Sequence, residues 1–85
     1  MDRKHRKITP AKGLKMLRLK AGYSQVGFAR HCGIPLRTLQ EYEYGNRDIN
    51  GAKLETLCIM ATVLGCKVYD LLTNEETKEL LKRTT

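Results

Sequence analysis

Tryptophan is absent from this 85-residue sequence, phenylalanine occurs once and proline twice. No apolar run approaches the roughly 20 residues that a membrane-spanning helix requires, and the basic N-terminus lacks the apolar stretch of a secretory signal. No segment alternates apolar and polar residues as a half-buried strand does. These absences predict one small all-α domain that stays in the cytoplasm, away from membranes.

Cysteine is also scarce, and its positions favour neither a disulfide scaffold nor a metal site. Cys32, Cys58 and Cys66 are odd in number, far apart and without a C-x-x-C pair. Each stands where an apolar residue would fit, and a buried free cysteine behaves as a small hydrophobe. We expect three reduced core thiols, no metal and no cofactor.

Residue sets typical of enzymes are missing as well. The sequence has no P-loop, no Ser-His-Asp set and no evident pair of carboxylates. His31 and Cys32 are adjacent, but neighbouring residues of a helix do not face each other and cannot act as base and nucleophile. The sequence therefore predicts a protein without enzymatic activity.

Positive charge is concentrated at the start of the chain. The net charge is +7; residues 1–22 hold eight lysines or arginines against one aspartate, and the rest of the chain is balanced. A basic arm at 1–8 followed by a basic helix suits a polyanion, most often nucleic acid. A solvated tail that only aids solubility is the alternative.

Start and stop signals divide residues 9–73 into five helices. The first is expected to begin at Thr9-Pro10 and to end at Gly22. Its apolar stripe comprises Leu14, Leu17 and Ala21. The other four are expected near 25–32, 36–44, 52–64 and 68–72, with 52–64 as the central core helix. A capping box at 73–76 predicts one or two last turns at 77–82, within a C-terminal extension at 74–85.

The second and third helices form a pair joined by the tight turn Gly33-Ile34-Pro35. Such a pair can present its second helix to a groove of DNA. An ordered set of residues surrounds it: Leu17-Arg18, Gly22-Tyr23-Ser24-Gln25, Phe28-Ala29, Gly33-Ile34, Thr38-Leu39, Tyr42-Glu43-Tyr44-Gly45, Leu57, Ala61, Leu64-Gly65 and Asp70-Leu71. Through this set, residues 14–72 resemble the Cro and phage-repressor class of helix-turn-helix proteins.

The resemblance implies a five-helix lambda-repressor-like domain, here followed by a short C-terminal helical extension. Members of the class are typically bacterial or phage transcription regulators that bind double-stranded DNA as dimers, and some are antitoxins. The implied function is sequence-specific repression with the helix 36–44 in the major groove. A protein-interaction adaptor, or an antitoxin-like module with an unidentified protein partner, is the alternative.

Residue by residue, the resemblance implies a set of DNA contacts. Gln25 matches a glutamine that bonds a phosphate. The groove-facing positions of the third helix are Leu36, Arg37, Gln40 and Glu41. Contacts with the DNA backbone are implied for Thr38, Tyr44 and Arg47. In the arm, Arg3 and Lys4 are expected to hold phosphates or a minor groove.

Each implied contact has an alternative that involves no DNA. Gln25 could bond its own helix terminus, Tyr44 could pack on the following loop, and Arg37 could be a solvated charge. Leu36 and Glu41 suit a thymine methyl and cytosine N4, but equally a recognition helix that contributes little. Two departures from the class accompany these residues, since Pro35 replaces a Ser or Thr cap and the loop after Gly45 is longer.

Two further expectations concern the scaffold and the assembly. Arg18 and Glu43 match positions that pair across the motif, which predicts a partly buried salt bridge holding the third helix. A homodimer, weak without DNA, is expected to form through apolar residues of the fifth helix and the extension: Val68, Leu72, Leu80 and Leu81. Alternatively, Leu80 and Leu81 fold back on Met16 and Leu19 of the same chain.

Overall fold

A computed structural model describes residues 8–84 of the chain. Its five α-helices are α1 (Lys12–Lys20), α2 (Gln25–Cys32), α3 (Leu36–Tyr44), α4 (Leu54–Leu64) and α5 (Glu75–Thr84). Two short 3₁₀ helices, Ile49–Gly51 and Val68–Leu71, flank α4. No strand occurs in the described part, so the all-α prediction is confirmed. None of the helices in 8–84 is long and apolar enough to cross a membrane.

The first helix begins later than its sequence signals predicted. Thr9 and Pro10 precede α1, and Ala11 caps it without a side-chain hydrogen bond. The Ala11 N–H donates to the Tyr42 carbonyl of α3 at 3.0 Å, and the Lys12 N–H donates back to the Pro10 carbonyl at 2.8 Å. This contact with α3 holds Ala11 in an inverse γ-turn, so a distant partner overrides the local cap.

The helix pair α2–α3 has the bounds that the sequence predicted. Ser24 caps α2, because its Oγ accepts the Gly27 N–H at 2.9 Å. Gly33 ends α2 at φ 73°, and Gly45 ends α3 at φ 84°. Both glycines take the left-handed conformation that other residues adopt only at a cost. Local signals therefore account for the start of α2 and for the ends of both helices, whereas Pro35 precedes α3 without a side-chain cap.

Helices α1 to α4 contribute buried side chains to one core, and α5 contributes none. Its apolar members are Ala11, Leu14, Phe28, Ala29, Cys32, Leu39, Tyr42, Ile49, Leu57, Met60, Ala61, Leu71 and Leu72. Ile49 is fully buried although its segment was expected to be a plain loop. Its 3₁₀ helix begins with the Asp48 carboxylate, which accepts the Asn50 N–H at 3.0 Å.

Several apolar residues lie outside the core, contrary to prediction. Helix α4 buries only one face, and Leu54 on it is 66% exposed. Cys58 is exposed as well, so only Cys32 is a buried thiol and Cys66 is half-buried. Ala21, expected in the α1 stripe, is exposed, and the buried position beside Leu14 belongs to Arg18. Periodicity detects an apolar face but does not show which part of it a neighbour covers.

The C-terminal part also differs from prediction. The expected fifth helix is a 3₁₀ helix, and α5 is longer than the one or two turns predicted. Asn74 caps α5, because its Oδ1 accepts the Thr77 N–H at 2.9 Å. Thr73 is instead bonded to Asn50, because its Oγ1 accepts from the Asn50 side chain at 2.8 Å and its N–H donates to Asn50 Oδ1 at 2.9 Å. A tertiary contact has therefore moved the cap by one residue.

The apolar residues assigned to a dimer interface are only partly available. Leu72 is buried in the core, and Val68 and Leu81 are half-buried against it, whereas Leu80 is 57% exposed. The fold-back alternative is not observed either, because Met16 and Leu19 are 68% and 56% exposed. Helix α5 packs instead on the second 3₁₀ helix, where the Lys78 ammonium lies 4.6 Å from the Tyr69 ring centre.

Candidate nucleic-acid interface

Helix α3 turns one face to the core and the other to solvent. Leu39, Tyr42 and Glu43 are buried on its inner face. On the outer face the Arg37 side chain is 87% exposed, and Tyr44 is 57% exposed. The helix is therefore held by the scaffold along one side and presents polar and cationic groups along the other.

A buried ion pair fixes the inner face of α3 to α1, as the sequence predicted. The Arg18 Nε donates to Glu43 Oε2 at 2.7 Å, and its Nη2 donates to Oε1 at 3.0 Å. The Arg18 and Glu43 side chains are only 5% and 0% exposed. The third guanidinium nitrogen donates to the Tyr23 carbonyl at 2.7 Å. This two-bond geometry is both strong and directional, so it fixes the rotation of α3 relative to α1.

Gln25 joins the start of α2 to α3 rather than bonding its own helix terminus. Its Nε2 donates to Glu43 Oε1 at 3.0 Å and to the Tyr44 hydroxyl at 3.4 Å. Its carbonyl oxygen accepts from Gln40 Nε2 at 3.2 Å. Gln25, Gln40 and Tyr44 therefore form one polar cluster at the boundary between the buried ion pair and solvent.

Three further residues assigned to DNA contact, two to the groove and Thr38 to the DNA backbone, take no part in the buried Arg18–Glu43 ion pair. Leu36, at the first turn of α3, is 36% exposed, and Thr38 is half-buried. Arg37 contacts Glu41 one turn later, with Nε to Oε2 at 3.4 Å. At this length and exposure the contact is weak, so Arg37 can leave it for another partner.

Glu41 contacts a second arginine that sequence reasoning did not connect to it. Arg47 Nη2 and Nε lie 2.7 and 2.8 Å from Glu41 Oε1. The hydrogen bond from Arg47, more than any other effect, holds the pKa of Glu41 below its ordinary value, although desolvation acts in the opposite direction. Residues that face each other on a helix are three or four positions apart. Glu41 and Arg47 are six apart, with the end of α3 at Gly45 between them, so the sequence carries no signal for this pair.

The structure thus brings together on or beside α3 all the described residues that the sequence assigned to DNA contact. They are Gln25, Leu36, Arg37, Thr38, Gln40, Glu41, Tyr44 and Arg47. Arg3 and Lys4 lie outside the described residues. The site is the outer face of α3, with the polar cluster of Gln25, Gln40 and Tyr44 on it and the Arg47–Glu41 pair near its end.

A family model for helix-turn-helix proteins matches residues 14–71, which span α1 to the second 3₁₀ helix. The chain belongs to the helix-turn-helix family. This family is the Cro and phage-repressor type that the sequence resembles. The helix-turn-helix protein is therefore a DNA-binding regulator. No curated protein and no solved structure matches this helix-turn-helix chain. Within the matched region, α2 and α3 are the motif itself.

Proposed function

We propose that the protein is a sequence-specific transcriptional repressor that places α3 in the major groove of double-stranded DNA. One observation carries the proposal: the buried Arg18–Glu43 pair holds α3 while its outer face presents the 87% exposed Arg37. An α-helix fits the major groove, where each base pair has a distinct pattern of donors and acceptors. The proposed division is an arm at 1–8, a DNA-binding domain at 9–73 and an extension at 74–85.

Arg37 is the proposed reader of sequence. It is the only cationic residue of α3 and lies in its first turn, the part of a recognition helix that contacts base edges. The planar guanidinium can donate two hydrogen bonds to guanine O6 and N7, worth roughly 1–3 kcal/mol of discrimination. Leu36 and Gln40 are proposed to contact neighbouring bases, a thymine methyl in the case of Leu36.

The phosphates are assigned to residues on both sides of α3. Gln25, Thr38 and Tyr44 offer amide or hydroxyl donors near the start of α2 and along α3, and Arg47 offers a charge beyond its end. Arg3 and Lys4 supply sequence-independent attraction from the arm. Such contacts set the register of a protein on DNA but carry little sequence information.

Selection from a random duplex library, followed by methylation interference, tests the proposal. Methylation of guanine N7 blocks the major groove, so it is expected to abolish binding at the selected site. Selection that yields no preferred sequence, or interference confined to adenine N3 in the minor groove, would contradict it. Affinity is also expected to fall steeply with salt as phosphate counterions are released, whereas a protein-interaction module would show no such duplex binding.

Arg37→Ala separates sequence reading from general attraction. The variant is expected to lose about ten- to hundredfold in preference for the selected site over a random duplex, with affinity for the random duplex nearly unchanged. Arg83→Ala, which removes an equal charge from the exposed end of α5, is the matched control. If Arg37→Ala weakens both duplexes equally, Arg37 is a phosphate contact and specificity lies in Leu36 and Gln40.

Repression follows if the bound protein occupies promoter DNA and blocks polymerase. A reporter whose promoter overlaps the selected site is expected to fall in expression when the protein is produced, and to recover with Arg37→Ala. Increased expression would instead identify an activator.

We further propose that two copies bind adjacent half-sites about 34 Å apart. Leu54 and Leu80, 66% and 57% exposed, are the apolar residues in and beside the extension that the core leaves open. Because these two side chains offer little apolar area in this part of the molecule, the dimer is expected to be weak without DNA. Sedimentation that shows one copy bound to a duplex with two inverted half-sites would rule it out.

A further inference from the structure

Glu41 is tied to the segment after α3 by both its side chain and its backbone. Its Oε1 lies 2.7 Å from Arg47 Nη2 and accepts a hydrogen bond from Arg47 Nε at 2.8 Å. Its backbone carbonyl accepts the N–H groups of Asn46 at 2.8 Å and of Arg47 at 3.2 Å. Glu41 therefore contacts both the backbone after Gly45 and the Arg47 guanidinium, and only the second contact depends on its carboxylate.

We propose that Glu41 is a positioning residue, which holds Arg47 against the end of α3 for contact with a DNA phosphate, rather than a reader of bases. This inference rests on the proposed function. A guanidinium has five N–H donors. Glu41 contacts the Arg47 guanidinium only along the edge formed by Nε and Nη2. The Nη1 group and the second Nη2 hydrogen remain for a phosphate, and the Arg47 side chain is 52% exposed.

The surroundings of Glu41 argue against a role in base reading. Both carboxylate oxygens have an arginine partner, since Arg37 lies 3.4 Å from Oε2. The Glu41 side chain is only 23% exposed, and the lowered pKa keeps it ionised. To accept from cytosine N4, the carboxylate would have to give up the short Arg47 contact and approach the DNA without its compensating charge.

Removal of Glu41 is expected to weaken DNA binding, which is the opposite of what the loss of a negative charge near DNA usually does. Removing a negative charge beside DNA normally strengthens binding, because repulsion from the phosphates is lost. If Glu41 positions Arg47, its removal instead frees the guanidinium and weakens binding. The loss must then be the same for every DNA sequence, because a phosphate contact does not read bases.

The test compares Glu41→Ala, Glu41→Gln, Arg47→Ala and the Glu41→Ala/Arg47→Ala pair on the selected and a random duplex at several salt concentrations. Glu41→Ala is expected to weaken both duplexes about tenfold, the loss of one charge-assisted hydrogen bond, and to lower the salt slope by about 0.9. Glu41→Gln, which keeps one acceptor oxygen, should lose less. In the Arg47→Ala background, Glu41→Ala should cause no further loss. Glu79→Ala, on the exposed side of α5, is the charge-matched control and should not weaken binding.

Two results would overturn the inference while leaving the proposed function intact. Stronger binding of both duplexes by Glu41→Ala would show an ordinary repulsive charge, and a loss confined to the selected duplex would show a base reader. Wild-type protein that binds no duplex would instead overturn the proposed function. The free protein gives a further readout, because the Arg47 Nε–H resonance is expected to exchange slowly in wild type and rapidly in Glu41→Ala. Equal exchange in both would also overturn the inference.

Discussion

Replacement of Glu43 by alanine removes the carboxylate that receives two hydrogen bonds from Arg18, at 2.7 and 3.0 Å. The guanidinium, 5% exposed, then keeps only the Tyr23 carbonyl as a partner within the protein. Gln25 also loses the acceptor for its 3.0 Å hydrogen bond. A buried charge without its counter-charge typically costs 3–5 kcal/mol, and we expect about 3 kcal/mol here because the chain is small and water can approach Arg18 as it relaxes.

Urea unfolding followed by circular dichroism measures this loss. A chain of 85 residues is expected to have an unfolding free energy of roughly 4–13 kcal/mol, so Glu43→Ala removes a large share of it. With a slope of about 1–3 kcal/mol per molar urea, the unfolding midpoint should fall by roughly 1–3 M. The slope itself should be unchanged if both proteins unfold in two states.

Two further variants distinguish the free-energy cost of an unpaired buried charge from that of a lost contact. The double variant Arg18→Met/Glu43→Leu removes both charges together and keeps apolar volume, so its stability should lie near wild type. Glu79→Ala, at an exposed position, should change stability by less than about 0.5 kcal/mol. A loss below about 1 kcal/mol in Glu43→Ala would refute the reasoning, since it would show that water or another group already compensates Arg18.

Three further predictions concern the turns, the thiols and acid titration. Ala at Gly33 or Gly45 should cost about 1–2 kcal/mol in urea unfolding, because both have positive φ; the loss at Gly45 should be larger, since a Cβ there meets a proline carbon at 3.0 Å. Iodoacetamide should modify exposed Cys58 first, because burial raises the pKa of the Cys32 thiol; prior modification of Cys32 would refute this. Arg47 lowers the pKa of Glu41, so the stability from their pairing is present above the unfolded-state pKa and lost as pH falls through the folded-state value. NMR titration should place the pKa of Glu41 below the ordinary value for a glutamate, and an unshifted or raised pKa would contradict this.

Much of the helix-turn-helix unit was predictable because its signals act over one turn of chain. A serine that accepts the third N–H of a helix begins α2, and glycines with positive φ end α2 and α3. These contacts lie within a few residues of one another, so they leave a local trace in the sequence. The Arg18–Glu43 pair is not local, and it was predicted only through the resemblance to a known class.

Other features depend on partners that lie far away in sequence. The start of α1 follows from the Ala11–Tyr42 backbone hydrogen bond. The cap of α5 follows from the contact between Asn50 and Thr73. In both places a usable local cap exists, but a distant group takes the donor or acceptor that the cap would have used.

The candidate site shows the same division. The resemblance indicated which residues lie on or beside α3, but it did not indicate the pairing of Glu41 with Arg47. The resemblance to the class places Glu41 among the groove-facing positions of α3. The turn at Gly45 brings Arg47 back to within 2.7 Å of it, and the spacing of the two residues does not reveal that return.

By itself, then, the sequence determined the helical class and the bounds of α2 and α3, and its resemblance to a known class gave the family. The helical class and the helix bounds depend on apolar periodicity and on capping groups within one turn of each other. Only the tertiary structure decided that Leu72 and Ile49 are buried, that Leu54 is exposed and that Glu41 holds Arg47. The reason is physical, because burial and ion pairing depend on which distant surface comes to lie against a side chain, and a residue's own neighbours in sequence do not determine that surface.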